Sequence, residues 1–367
     1  MSLKICKHFR VCGGCAYLDK PYEDQLNEKV NQAEELLEAK AEKVIPSPKQ
    51  YYYRNRMDFV VAEDPKIGLN VKGKWWEIVD LEECLLQSPE SDEIRKTFKA
   101  HMERNGIAGW NRRERRGLIR FLSVIEGKFT GERMIFITAF REDENLQLQE
   151  FIDSLKARGI PFSSLILGIN SGIRDDARAE ELKIIHGTET ITEKINNTTY
   201  HLHPNVFFQP NPYTLSSLIS TALEFLDLRG GEKILELFSG SGTFTIPMAR
   251  AAGEIVAVES DPNAVKIAEL NLKTNKVKNV EIVQEKAERV SLKYDYVVVD
   301  PPSSGLSYKL VKRLRKAKPK AILYISCNPK TQARDIKQLG YKIERLAIID
   351  QFPQTPLVET IALLRRR

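Results

Sequence analysis

No run of apolar residues in this 367-residue chain approaches the ~20 needed to cross a bilayer's hydrocarbon core. Cys6 comes too early for the apolar stretch of a secretory signal to precede it, so the expectation is a soluble, cytoplasmic protein. Internal repeats and low-complexity tracts are lacking as well. Charge of one sign is only weakly in excess: 56 Lys and Arg against 50 Asp and Glu leave +6, which permits a nucleic-acid partner without requiring one. Histidine is scarce, five residues, and none has metal-ligand spacing; His101 and His186 read as structural. Cysteine is equally scarce, five residues, and unevenly placed. What is abundant is apolar residue, 42%, beside 29% charged, far from the composition of disordered chains. At roughly 150 residues per domain the length suggests two or three domains.

The chain opens on three cysteines, Cys6, Cys12 and Cys15, followed from Tyr22 by Leu26, Val30, Ala33, Leu36 and Leu37 at helical spacing. Pro46 and Pro48 then break it. The four runs beginning at Met57, Trp75, Leu118 and Met134 are short and β-rich. Helical patterns near Asp92 and Leu146 interrupt them, which predicts an α+β middle domain. From Tyr213 onward, helices alternate with short β-branched runs starting at Lys233, Ile255, Val280, Tyr296 and Ala321, the rhythm of a doubly wound parallel sheet. Two closing runs, 341–349 and 358–364, have no helix between them and should pair as an antiparallel hairpin at the sheet's end. The predicted division is 1–50 for the cysteine segment and linker helix, 51–203 for the middle domain and 204–367 for the α/β domain.

After the first strand of that α/β domain comes Glu236-Leu-Phe238-Ser-Gly240-Ser-Gly242-Thr243-Phe-Thr245. Glycines at a strand-to-helix turn let a ligand approach the backbone. A dinucleotide site would carry a third glycine where Thr245 stands. Glu259 ends the next strand, where a carboxylate can accept from both ribose hydroxyls. Glu236, just before the loop, suits a cofactor with an ammonium group better than one with a pyrophosphate. These features favour S-adenosylmethionine over NAD. Two further motifs end strands, where α/β sheets place their ligands: Asp300-Pro-Pro-Ser-Ser-Gly305 and Ser326-Cys327-Asn328-Pro329. Cys327 in a polar turn reads as a nucleophile rather than a core thiol. Glu359, after Asp350-Gln-Phe-Pro-Gln-Thr-Pro-Leu-Val, could face the same crevice.

Together with Phe207-Phe-Gln209-Pro-Asn211, Tyr53-Arg-Asn-Arg56 and the four cysteines of the amino-terminal half, these motifs resemble the RNA uracil-C5 methyltransferase family over nearly the whole chain. The resemblance implies a Rossmann-like class I methyltransferase domain behind an α+β RNA-binding domain. It makes Cys327 the nucleophile at uracil C6, Glu359 the general base, and Asp300 a group at the reaction site. Gln209, Phe238, Gly240, Gly242, Thr243, Glu259 and Asp300 would serve the S-adenosylmethionine site. It also implies a [4Fe–4S] cluster on Cys6, Cys12, Cys15 and Cys84, where spacing alone leaves zinc open. The sequence departs from the family pattern at Ser303, usually Arg, and Leu357, commonly His. The small β-barrel that many relatives carry at the amino terminus is not expected here.

The expected substrate is a uridine in structured RNA, with 23S rRNA slightly favoured over the T-loop U54 of tRNA, and the expected state is a monomer. Alternatives are an RNA cytosine-C5 methyltransferase, which would add a cysteine to the motif at Asp300, and a non-catalytic RNA-binding protein of the same fold. Candidate phosphate contacts are the basic run 309–320, the cluster Arg112, Arg113, Arg115, Arg116 and Arg120 beside Trp110, and Arg54 and Arg56.

Overall fold

A computed structural model describes residues 3–366. The chain divides into two compact units, one of Met1–Lys20, Lys49–Lys194 and Leu202–Asn205, the other of Pro21–Pro48, Ile195–His201 and Val206–Arg367. The segment expected as one amino-terminal piece is therefore split: its cysteines go with the first unit and its helix, Tyr22–Leu37, with the second.

The first unit is built on a seven-stranded sheet in the order Lys74–Asp80, Ile67–Val71, Arg56–Val61, Ile119–Glu126, Arg133–Ala139, Ser164–Ile169, Glu181–His186. Every pair is antiparallel except Arg133–Ala139 with Ser164–Ile169. That parallel pair needs a crossover, and the helix Leu148–Ala157 supplies it. Its central strands are buried at every position. Tyr51, Tyr52 and Tyr53 precede the strand Arg56–Val61, and Tyr53 is fully buried.

The second unit holds an eight-stranded sheet in the order Lys43–Ile45, Tyr341–Ile349, Glu359–Arg366, Ala321–Ser326, Tyr296–Val299, Lys233–Leu237, Glu254–Glu259, Val280–Gln284. Its five central and right-hand strands are parallel, and alternate residues feed two cores. Ile234, Val298 and Leu323 face one side; Leu235, Val297 and Tyr324 face the other. Burial on both faces explains why these strands read as continuous apolar runs. The closing hairpin forms as expected, but Lys43–Ile45 pairs parallel with Tyr341–Ile349 and takes the edge. The order reverses between Lys233–Leu237 and Tyr296–Val299, so a crevice for a ligand opens at the carboxyl ends of those two strands.

Three helix starts in this unit follow one chemical rule. Asn211, Asp261 and Asn328 each accept a hydrogen bond from the backbone two residues on, and a proline follows each cap. The cap satisfies an orphan N–H, and proline at the first helical position gives up none that is needed. The third of these caps directly follows Cys327.

Candidate active site

The glycine loop leaves its strand through Phe238 at φ +63°, Gly240 at +54° and Gly242 at +84°. At Gly240 a Cβ would meet nothing within 4 Å, so the backbone borders open space there. The Glu259 carboxylate ties this loop to the neighbouring strand end, accepting from the N–H groups of Gly240 (3.0 Å), Ser260 (2.6 Å) and Asp261 (2.9 Å). The Ser260 hydroxyl donates to the same carboxylate at 3.4 Å, the longest of its four bonds and the one a ligand hydroxyl could replace. Thr243 is buried, and its carbonyl accepts from the Tyr200 hydroxyl at 3.0 Å. Glu236 is buried too, and accepts from the Thr245 hydroxyl at 2.5 Å. Burial, reinforced by the Asp300 and Glu259 charges and opposed by that bond, raises its carboxyl to about 8. Thr245 thus has a task at the place where a dinucleotide loop would carry glycine.

Cys327, Glu359 and Asp300 come together through sheet register. Strand Ala321–Ser326 runs antiparallel to Glu359–Arg366 with Ser326 opposite Thr360, and the Thr360 hydroxyl donates to the Ser326 carbonyl at 3.0 Å. One step further along the same ladder sets Cys327 beside Glu359. On the other flank Val299 lies opposite Tyr324 in parallel register, which brings Asp300 to the same end. Burial, then the Glu359 and Asp300 charges, raises the Cys327 thiol to about 12. Withdrawal from water raises Asp300 to about 7. Glu359, 2% exposed, is pushed well above the ordinary range by burial and by Asp300. At neutral pH the site therefore holds a thiol, not a thiolate.

The two motif loops are locked together. Asn328 Nδ2 donates to the Ser303 carbonyl at 2.8 Å, and Thr331 to the same oxygen at 3.1 Å. Buried Asp335 accepts from the Leu306 N–H and the Tyr324 hydroxyl, both at 2.7 Å. Ser303 contributes only its carbonyl here and is exposed, as is Leu357, so the two departures from the family pattern both lie at the surface.

Gln209, 4% exposed, donates to Asp300 at 3.3 Å and accepts from Gln351 at 3.2 Å. Gln351 is held in turn by the Thr214 hydroxyl and by Asn211, which donates to its carbonyl at 3.3 Å. Just before it, Asp350 makes a 2.6 Å ion pair with Lys29, both side chains 0% exposed. Lys29 also donates to the Phe352 carbonyl at 3.0 Å. Gln25 of the same helix exchanges two bonds with Gln354, of 3.0 and 3.1 Å. The helix Tyr22–Leu37 therefore clamps the segment that leads into Glu359. Sequence reasoning missed Lys29 and Gln351: their partners lie far away in the chain, and an apolar helix stripe gives no sign of a buried cation.

Four of the five thiols, Cys6, Cys12, Cys15 and Cys84, line one cavity with Leu18, Leu69, Leu81, Leu85 and Leu86. None forms a disulfide. The N–H groups of His8 and Gly14 each donate to a sulfur at 3.4 Å, Cys6 and Cys12 respectively, and Cys84 receives backbone bonds from Leu86 and Gln87. Among the described residues no group of three or more His, Cys, Asp or Glu side chains is arranged to hold a metal ion.

The basic clusters divide. Leu310, Val311 and Leu314 bury one face of the helix Tyr308–Ala317, while Lys309, Lys312, Arg315 and Lys316 are exposed. In the arginine cluster Arg120 must be withdrawn as a phosphate contact: it is 3% exposed and committed to the carbonyls of Asn170, Gly172 and Arg174. Arg112 is similarly engaged with Asp175 at 3.0 Å. Arg56 bonds Asp58 and the Pro204 carbonyl.

The sequence model of the tRNA (uracil-5-)-methyltransferase family matches residues 119–295 and 290–367. A tRNA (uracil(54)-C(5))-methyltransferase of Pyrococcus horikoshii is 37% identical over 359 residues, 98% of this chain and 85% of that protein. A 23S rRNA (uracil(747)-C(5))-methyltransferase of Pyrococcus furiosus is 35% identical over 366 residues, 98% and 85% of the two. Among solved structures, the Pyrococcus abyssi tRNA (uracil-54, C5)-methyltransferase in complex with S-adenosyl-L-homocysteine superposes with a TM-score of 0.82 at 34% identity, covering 96% of this chain and 86% of that one.

Proposed function

The chain belongs to the tRNA (uracil-5-)-methyltransferase family and is an S-adenosylmethionine-dependent RNA uracil-C5 methyltransferase, and from that premise we propose that it acts on U54 in the T-loop of tRNA through a covalent Cys327 adduct. The observation that carries the mechanism is the register that sets Cys327 against Glu359 with Asp300 alongside. The choice of tRNA rests on the 37% identity to the U54 relative against 32–35% for the U747 relatives. It reverses the slight sequence-based preference for 23S rRNA, which stands as the second reading because those relatives also align over nearly the whole chain.

The open backbone at Gly240, the Glu259 carboxylate and the partly buried Phe238 fit an adenosyl cofactor. S-adenosylmethionine, when bound, supplies an electrophilic methyl group. Uracil C5 is too weak a nucleophile to take it unaided. Asp300, near 7, takes the Cys327 proton, and the sulfur adds to C6, leaving enolate density at C5. Gln209 holds Asp300 in place for that transfer. Once C5 is methylated, Glu359 in its ionised form, made a stronger base by its burial, removes the C5 proton, the C6–S bond breaks, and Cys327 departs as thiolate. The uridine must leave its stack to reach these groups.

The cysteine cavity belongs to the same proposal. Four sulfurs around a leucine-walled space, several accepting backbone N–H bonds, suit a [4Fe–4S] cluster that takes one thiolate per iron, better than one ion needing converged ligands. Cys6, Cys12, Cys15 and Cys84 would hold it, and its contribution is to pin the amino-terminal segment, since Gly13 already bonds Asn70 at 3.0 Å.

The test is adduct trapping. Incubated with S-adenosylmethionine and an unmodified tRNA transcript, Glu359→Gln should accumulate a protein–RNA species that survives denaturing electrophoresis, and Cys327→Ala should form none. Full turnover by Cys327→Ala would remove the nucleophile assignment. A 23S rRNA fragment as the only methylated RNA would establish the second reading.

A further inference from the structure

Two of the three tryptophans, Trp75 and Trp76, stand side by side on the edge strand Lys74–Asp80, 59% and 44% exposed. Their rings meet edge to face, with centroids 5.8 Å apart at 90°. Neither contributes to the core, and a soluble surface seldom leaves two large aromatics together in water without a use for them. The turn at Asn111–Arg116 is held against this hairpin, because Arg112 donates to the Trp75 carbonyl at 2.6 Å and to Asn70 at 3.0 Å. It carries Arg113 over the Trp76 ring, 5.4 Å from its centroid.

The local charges do not balance. Lys74 pairs with Glu77, Arg112 with Asp175, and Arg116 with Glu63 and Glu114. Lys72, Arg113 and Arg115 are exposed and have no acidic partner among the described residues. An exposed indole pair with an unpaired cation over one ring, and two more on the same hairpin and turn, is complementary to an unpaired nucleotide, whose base stacks on the aromatic and whose phosphate meets the cation. An apolar protein partner would leave those cations buried and uncompensated. We infer that Trp75, Trp76 and Arg113 form a stacking platform for an unpaired base of the RNA substrate, with Arg115 and Lys72 on its backbone. The inference rests on the assignment of the chain as an RNA methyltransferase and adds a contact that holds the RNA rather than one that transforms it.

Tryptophan emission reads this directly, because the third tryptophan, Trp110, is buried against Phe140 with centroids 4.7 Å apart. Titrating an unmodified tRNA transcript into the full chain should quench emission from the exposed pair. Trp75→Ala/Trp76→Ala should abolish the quench and weaken binding by at least about tenfold. Phe at both positions should restore most of the affinity, which separates lost stacking from lost folding. Lys72→Ala/Arg115→Ala should flatten the salt dependence of binding by about 1.4 in log–log slope. The RNA concentration for half-maximal methylation should rise in each variant by about the factor by which binding weakens. Wild-type affinity in the double alanine variant overturns the inference, as does a change in self-association with RNA binding intact. Quenching by the tRNA transcript without its methylation would overturn the choice of tRNA as substrate and leave the platform standing.

Discussion

Glu236 shows how one residue's position becomes a pH dependence. Its carboxyl is raised from 4.5 to about 8, so between those values the folded chain holds a proton that the unfolded chain has lost. Stability should therefore fall as pH rises across that window, by about 1.4 kcal/mol per unit where this group alone titrates. Glu236→Gln keeps an acceptor for Thr245 and removes the titration. Thermal unfolding followed from about pH 5.5 to about pH 8.5 should show a shallower decline in the variant than in wild type; parallel declines would contradict the account. Asp300 and Glu359 shift in the same direction, which is why the comparison is between slopes. At this scale the sequence was informative wherever chemistry is local. Cys327, Glu359, Asp300 and the glycine loop stand in short motifs at strand ends, and each falls at the expected end. It was misleading where charge alone was read: Arg120 looked like a phosphate contact and is a buried brace for the loop at 170–174.

At the scale of elements, the helix Tyr22–Leu37 matters more than its place in the sequence suggested. It lies some 320 residues from Glu359 in the chain, yet Lys29 and Gln25 hold the segment that delivers that residue. The helix was legible from its apolar stripe, but its docking was not, because ion pairing between distant residues leaves no periodic signal. The edge strand Lys43–Ile45 was missed for a related reason: three residues carry too little pattern to mark a strand. Removing one member of a buried ion pair strands the other, at a cost of about 3–5 kcal/mol. Lys29→Met should lose stability of that order in denaturant unfolding, and adding Asp350→Asn should recover part of it. A single variant as stable as wild type would show that the clamp contributes nothing.

For the whole molecule, the expected three segments resolve into two units, each with its own sheet. The closing antiparallel strands of one sheet set Cys327 and Glu359 beside each other; the other unit carries the cysteine cavity and the tryptophan pair. If the cavity holds an iron–sulfur cluster, anaerobically purified protein should show a broad visible absorption that Cys84→Ser loses, with iron content falling in step. Equal spectra would count against it. No helix is long and apolar enough to cross a membrane among the described residues. The modest net charge of +6 conceals local surpluses, on the helix Tyr308–Ala317 and around Trp76, where RNA would be met. The measurement closest to the central claim uses tRNA transcript tritiated at uracil C5. With S-adenosylmethionine, wild-type protein should release tritium to water in step with methylation, and Cys327→Ala should release none. Methylation that leaves the C5 tritium in the RNA would place the methyl group elsewhere and contradict the account.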